Sequence, residues 1–260
     1  METALQLALG YIETFAGNGK ARSTGDGKRA VKAGIPLPHH AALDKHERWF
    51  YFAESGSDRI RRVDLQEGTL HNFAGIGETC YSGDEGPCGE AGLYLPLDIA
   101  FDSQNHLYIC DSGSNRVRKI DRNTGVISTL AGVCRYGYDG DNKPATRAML
   151  HAPEAVVFDA QDNLYVSDTM NHRVRRVDAA TGIITTVAGN GDSGYEDKNM
   201  GGCGAARFVA KESAGALKHG DGLLGVEAVV NSPVGLALDS VGHLYICERG
   251  ENKIRRVRLW

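Results

Sequence analysis

One proline-anchored pattern recurs four times along this chain and leaves few folds open. An Ala-Gly pair closes a short apolar run at Ala16-Gly17, Ala74-Gly75, Ala131-Gly132 and Ala188-Gly189. A Gly-Asp pair follows at Gly25-Asp26, Gly83-Asp84, Gly140-Asp141 and Gly220-Asp221, and thirteen residues after each of those glycines stands Pro38, Pro96, Pro153 or Pro233. An aspartate comes six residues later (Asp44, Asp102, Asp159, Asp239), then an acid (Glu54, Asp111, Asp168, Glu248), and nine residues beyond that Val63, Ile120, Val177 or Val257. Successive prolines are 58, 57 and 80 residues apart, so one insertion of 23 residues accounts for the only large departure.

Each unit reads as four short strands separated by turn residues. The first follows the proline; the second is Trp49–Ala53, Leu107–Cys110, Leu164–Ser167 or Leu244–Cys247. The third starts at Arg59, Arg116, Arg173 or Lys253, and the fourth is clearest at 125–130 and 182–187. Four strands in a repeat of this length select a β-propeller over a sandwich or barrel. The spacing predicts a single all-β domain over 1–260, a propeller of four blades with four antiparallel strands each. Its units lie near 36–75, 94–132, 151–189 and 231–260 plus 11–16. The chain opens on a fourth strand, Tyr11–Phe15, and ends just after a third. The expectation is therefore a ring closed by the N-terminal strand completing the C-terminal blade, which would remove both open edges and leave a monomer. The competing reading is a fragment, or part of a ring completed by another chain.

Composition narrows the function classes. The 260 residues include 33 glycines, which suits many tight turns, and the formal net charge of −4 is not the footprint of a nucleic-acid partner. No apolar stretch approaches the ~18 residues needed to span a bilayer. No basic residue precedes the apolar stretch of the N-terminus, so no signal peptide is evident, and the reading is a cytoplasmic protein or the leaderless form of a secreted one. Of six cysteines, Cys80 and Cys88 flank one loop and could close it as a disulfide, whereas Cys110 and Cys247 read as buried apolar thiols. No phosphate loop, dinucleotide fingerprint or nucleophile motif is present.

The segment Leu164–Asp178, with Asn171-His172-Arg173 at its centre, resembles the NHL repeat, and weaker copies read Asn115-Arg116-Val117, Asp58-Arg59-Ile60 and Asn252-Lys253-Ile254. The long loops look like those of the bacterial and teneurin-like branch. This resemblance implies the propeller fold. It implies function less closely, since the family includes RNA-binding and protein-binding scaffolds, sensor domains and a few lyases that place histidines from several blades around a central metal. Such propellers usually have six blades, against four counted here.

The repeats supply an internal control: a residue type present in every unit maintains the blade, and one confined to a single unit is freer to serve a ligand. By this test the Gly-Asp aspartates, the acids Glu54, Asp111, Asp168 and Glu248, and the arginines Arg61, Arg118, Arg175 and Arg255 form a repeated brace. The positions one and two after the proline vary, and they place His39, His40, Asp98 and Glu154 at one channel mouth, with His151 nearby. The main reading is a non-catalytic scaffold binding a protein, peptide or small-molecule ligand on its loop-bearing face, with His39, His151, Tyr195 and Phe208 as contacts and no cofactor. The alternative is a metal-assisted lyase or hydrolase at the channel mouth, with His40, Asp98 and Glu154 catalytic and His39, His40 and Asp98 holding a divalent metal. The insertion at 192–218 is the other singular feature; its second half, Ala205–Leu217, reads as a short helix over the loop face.

Overall fold

The computed structural model describes residues 12–193, 195–197, 208–210 and 221–260. Within these the chain is an all-β, four-blade β-propeller with short 3-10 turns and no α-helix. No helix among the described residues is long and apolar enough to cross a membrane. Blade 1 consists of β1 (Pro38–Leu43), β2 (Trp49–Glu54), β3 (Arg59–Asp64) and β4 (Thr69–Ala74). Blade 2 consists of β5 (Pro96–Phe101), β6 (Leu107–Asp111), β7 (Arg116–Ile120) and β8 (Val126–Ala131). Blade 3 consists of β9 (Pro153–Phe158), β10 (Leu164–Asp168), β11 (Arg173–Val177) and β12 (Ile183–Ala188); blade 4 holds β13 (Pro233–Leu238), β14 (His243–Glu248) and β15 (Lys253–Arg258). Every blade is an antiparallel meander, innermost strand first. In blades 1 to 3 the preceding loop adds a fifth, two-residue strand to the outer edge (28–29, 86–87, 143–144), which the spacing alone did not predict.

Successive blades pack face to face, so the middle strands are buried on both sides. In β6 all five residues are buried. Leu107 and Ile109 pack on Tyr51, Ala53, Ile60 and Ala74 of blade 1. Tyr108 and Cys110, alternating with them, pack on Val156, Leu164 and Val166 of blade 3. The third interface sets Tyr165, Val174 and Ala188 against Leu244 and Ile246.

The recurrent signature centred on Asn171-His172-Arg173 has a geometric reason. Asp58, Asn115, His172 and Asn252 precede the third strand with φ of 52°, 57°, 54° and 53°. Asn, Asp and His are the non-glycine residues that enter this left-handed region most readily. Their side chains also tie one blade to the next. Leu95 N–H donates to Asp58 Oδ1 (2.7 Å), Ala152 N–H to Asn115 Oδ1 (2.9 Å), and Ser232 N–H to His172 Nδ1 (3.2 Å). Each donor residue precedes the blade's proline and itself has a positive φ. The fourth such link, from Leu37 of blade 1 to Asn252 of blade 4, is not formed among the described residues.

The recurrent acids and arginines form the expected brace. Arg61 lies 3.2 Å from Glu54, Arg118 3.5 Å from Asp111, Arg175 3.3 Å from Asp168 and Arg255 3.5 Å from Glu248. The last three reach on to the loop aspartates Asp84 (2.7 Å), Asp141 (2.8 Å) and Asp221 (2.9 Å). The acids also accept backbone N–H bonds from Tyr94, His151 and Asn231, two residues before each proline. In blade 1 that position is Pro36, which has no N–H, and Ser57 Oγ donates to Glu54 instead.

Several expectations are corrected. The C-terminal sheet has three strands among the described residues, not four. Tyr11 lies outside the described residues; Ile12–Phe15 forms no strand, and Phe15 packs edge-on against Phe50 of blade 1 at 5.4 Å. The segment is anchored on that side by the Gly17 N–H to Ala30 carbonyl bond, and β1 and β13 do not pack on each other as the three successive pairs of inner strands do. The ring therefore has a seam between blades 4 and 1. In the insertion, the described part of the expected helix, Phe208–Ala210, is a strand antiparallel to Tyr195–Asp197; the rest lies outside the described residues. Cys80 and Cys88 are free thiols, with Cys88 buried and its Sγ 3.4 Å from the Phe73 carbonyl. Cys247 is exposed rather than buried.

Candidate functional site at the channel mouth

The inner strands β1, β5, β9 and β13 line a central cavity of about 620 Å³. Its walls are largely aliphatic, including Leu97, Val156, Val234 and Leu236, and its polar residues are those singled out by their position after the proline: His39, His40, Asp98 and Glu154. Such a volume falls in the range of small-molecule and peptide pockets.

The four polar residues do not converge on one point. They form two bridges. His40 Nδ1 of blade 1 pairs with Asp98 of blade 2 and also lies 3.3 Å from the Ile99 carbonyl. Glu154 of blade 3 takes a two-pronged pair from Arg249 of blade 4, at 3.0 and 3.2 Å. Asp98 is buried and accepts two further bonds, from Ile99 N–H and Val156 N–H, both 2.8 Å. It therefore joins the inner strands of blades 2 and 3 as well as holding His40. Among the described residues no three His, Cys, Asp or Glu side chains stand close enough together to hold a metal ion, so His39, His40 and Asp98 do not form the expected triad.

His39 lines both the channel and a second cavity at the seam, beside Phe15, Phe50 and Phe52. His151 is not part of the channel wall. Its N–H bonds Asp168, its ring stacks on Tyr136 at 5.0 Å, and burial pulls its pKa down. Tyr195 and Phe208 occupy opposite ends of the strand pair in the insertion, in register with Ala210 and Asp197. Two residues were missed. Arg249 follows the acid of blade 4 where the other units have Ser55, Ser112 and Thr169, and Tyr136 replaces Thr79 of the preceding loop. The internal control that picked out His40 also applies to both.

The hydrogen bond to Asp98 raises the His40 pKa above its ordinary value of 6.5, more than burial lowers it. What this pair adds to stability is present below pH 6.5 and fades as the pH rises through the folded-state value. The His40 ring protons, followed by NMR, are expected to titrate above 6.5 and to return towards that value in Asp98→Asn. An unchanged midpoint in the variant would contradict the pairing.

Comparison with known proteins agrees with this architecture. A family model for the NHL repeat matches residues 93–120. The chain is 30% identical over 162 residues to NHL repeat-containing protein 2 of Homo sapiens, covering 59% of this chain and 22% of that protein. It is 28% identical over 244 residues to Teneurin-m of Drosophila melanogaster, covering 86% of this chain and 8% of that one. It thus spans under a quarter of the length of either relative. A solved structure of a protein of unknown function from Bacteroides thetaiotaomicron superposes with a TM-score of 0.59 at 21% identity, over 84% of this chain and 46% of that one. These matches and the four internal units show that the chain is built from repeats similar to the NHL repeat on a β-propeller fold.

Proposed function

We propose that this propeller is a non-catalytic binding module whose channel mouth receives a short peptide or a small molecule with both apolar and charged groups. One observation carries the reading: each ionisable pair at the mouth is an interblade bridge, His40–Asp98 between blades 1 and 2 and Glu154–Arg249 between blades 3 and 4. The carboxylates are held by partners and are not poised as a general acid and base. The bridges present charges of both signs around aliphatic walls, a surface that recognises a ligand without needing to transform it. His40 has 61% of its side chain exposed and Arg249 59%, so their cationic groups can reach a ligand carboxylate without leaving their partners.

The test is a screen of short peptides by fluorescence anisotropy, repeated with Arg249→Ser, which restores a small hydroxyl residue as in the other units. Affinity for a channel ligand is expected to fall about tenfold, ~1.4 kcal/mol. Binding that survives both Arg249→Ser and His40→Ala unchanged would place recognition elsewhere.

A further inference from the structure

Blade 1 departs from the other blades at the turn between β1 and β2. There the Asp44 N–H bonds the Trp49 carbonyl, whereas Asp102, Asp159 and Asp239 close on His106, Asn163 and His243 in turns one residue shorter. Asp44 Oδ1 still caps the turn, accepting from the Arg48 and Trp49 N–H groups, both at 2.8 Å. Its other oxygen loses the partner it has elsewhere. In blades 2 to 4 a tyrosine of the second strand donates its hydroxyl to that oxygen: Tyr108 to Asp102 (3.0 Å), Tyr165 to Asp159 (3.1 Å) and Tyr245 to Asp239 (3.2 Å). Tyr51 makes no such bond, and Asp44 Oδ2 has no hydrogen bond among the described residues.

The longer turn also frees a cation. In blade 3 Arg176 pairs with Asp178 at 2.9 Å. The corresponding acid of blade 1, Asp64, is taken by Arg48 of the turn, and Arg62 forms no ion pair among the described residues. The Arg62 guanidinium lies over the rings of Trp49 at 4.0 Å and Phe73 at 4.9 Å, and donates to the Tyr51 hydroxyl at 3.3 Å. Its Nε is buried without a partner. Trp49 stands where the other units have His106, Asn163 and His243, so this platform belongs to blade 1 alone.

These groups line a cavity of about 340 Å³ between blades 1 and 2, at the ends of the strands away from the channel mouth. Phe101, Leu107 and Ile120 of blade 2 give it an apolar wall. Burial pushes the Tyr51 phenol up, so the hydroxyl keeps its proton, and with Arg62 donating to its oxygen that proton is available to an acceptor. The cavity thus presents one anionic acceptor, one cation and one neutral donor, none of them engaged as in the other blades, beside an apolar surface.

We infer that this cavity, distinct from the channel mouth, binds a free α-amino acid with an apolar side chain. Asp44 Oδ2 accepts from the ammonium, Arg62 and the Tyr51 hydroxyl donate to the carboxylate, and the side chain lies on Phe101 and Leu107. A ligand with one charge only would leave either the acid or the guanidinium desolvated and unmatched, so the site selects a zwitterion.

The experiment is isothermal titration calorimetry of the full chain with L-phenylalanine and L-leucine, set against hydrocinnamate, which lacks the ammonium, and phenethylamine, which lacks the carboxylate. Saturable binding of the amino acids is expected, with each analogue about tenfold weaker or more. This comparison needs no variant and so does not depend on how well one folds. Asp44→Asn keeps an acceptor for the two turn N–H groups and removes the charge; it should weaken L-phenylalanine about tenfold and leave hydrocinnamate unchanged. Tyr51→Phe keeps the ring contacts with Phe73 and Phe101 and should weaken both ligands. Circular dichroism of each variant checks that the blades are intact. No saturable binding of either amino acid, analogues that bind as tightly as L-phenylalanine, or folded variants with unchanged affinity for it would each overturn the inference.

Discussion

Methionine in place of Arg175 is expected to lower the unfolding free energy by about 3–5 kcal/mol, the usual effect of removing one partner of a buried ion pair. Its guanidinium is fully buried between Asp168 at 3.3 Å and Asp141 at 2.8 Å, and it also donates to the Gly140 carbonyl at 3.1 Å. Without it Asp168 is a buried carboxylate held only by Asn171 and the His151 N–H. Burial already pushes Asp168 up to about 6, against the opposing pull of Asn171, His151 N–H and Arg175. A carboxyl raised in the folded state favours folding below its unfolded value of 3.8, and that contribution is lost as the pH rises through about 6. The deficit of the variant should therefore shrink in acid, where Asp168 is protonated with or without its arginine. Urea titrations at neutral pH and near pH 4 would read both effects. Arg255→Met is the comparison: Glu248 is as buried as Asp168 but its Asp221 partner faces solvent, so the loss there should be smaller by the share of one exposed pair, about 1 kcal/mol. Equal losses at both positions would show that burial of the loop aspartate is not what makes the brace strong.

The second large effect is expected at Asp98. Asp98→Leu leaves the Ile99 and Val156 N–H groups without their acceptor, and each buried N–H so stranded costs about 1–3 kcal/mol. A total loss of about 2–6 kcal/mol should follow, on the same basis, as a lower urea midpoint. Asp98→Asn keeps one acceptor oxygen and should lose roughly half as much by that reckoning. A Leu variant as stable as the wild type would mean that these bonds do not join blades 2 and 3.

Asp98 also shows how far the channel mouth can be read from sequence. Its place two residues after Pro96, where the other units have His40, Ala155 and Gly235, marks it as singular. That signal identifies the position and says nothing of its partners. It suggested a carboxylate available to a metal, whereas three donors from three blades already surround it. Arg249 was equally singular, but it follows an acid already assigned to the brace, and an arginine in a loop carries no mark of what it reaches. It meets Glu154 only because blade 4 packs beside blade 3.

What the sequence determined alone is whatever depends on local conformation and period. The proline spacing gave the blade count, and alternation within the strands sorted which residues face each neighbouring blade. Asp, Asn and His before the third strand occupy a left-handed conformation that suits them in isolation. What tertiary structure decided is whatever depends on the angle between blades. Leu37, Leu95, Ala152 and Ser232 take positive φ values, and their residue types give no local preference for it; in the last three the next bond is made by a neighbouring blade. The phase of the repeat makes Ile12–Ala16 a fourth strand, but where that strand pairs depends on whether four interblade steps complete a circle. Period fixes how many steps there are, and only side-chain packing across each interface sets their angle.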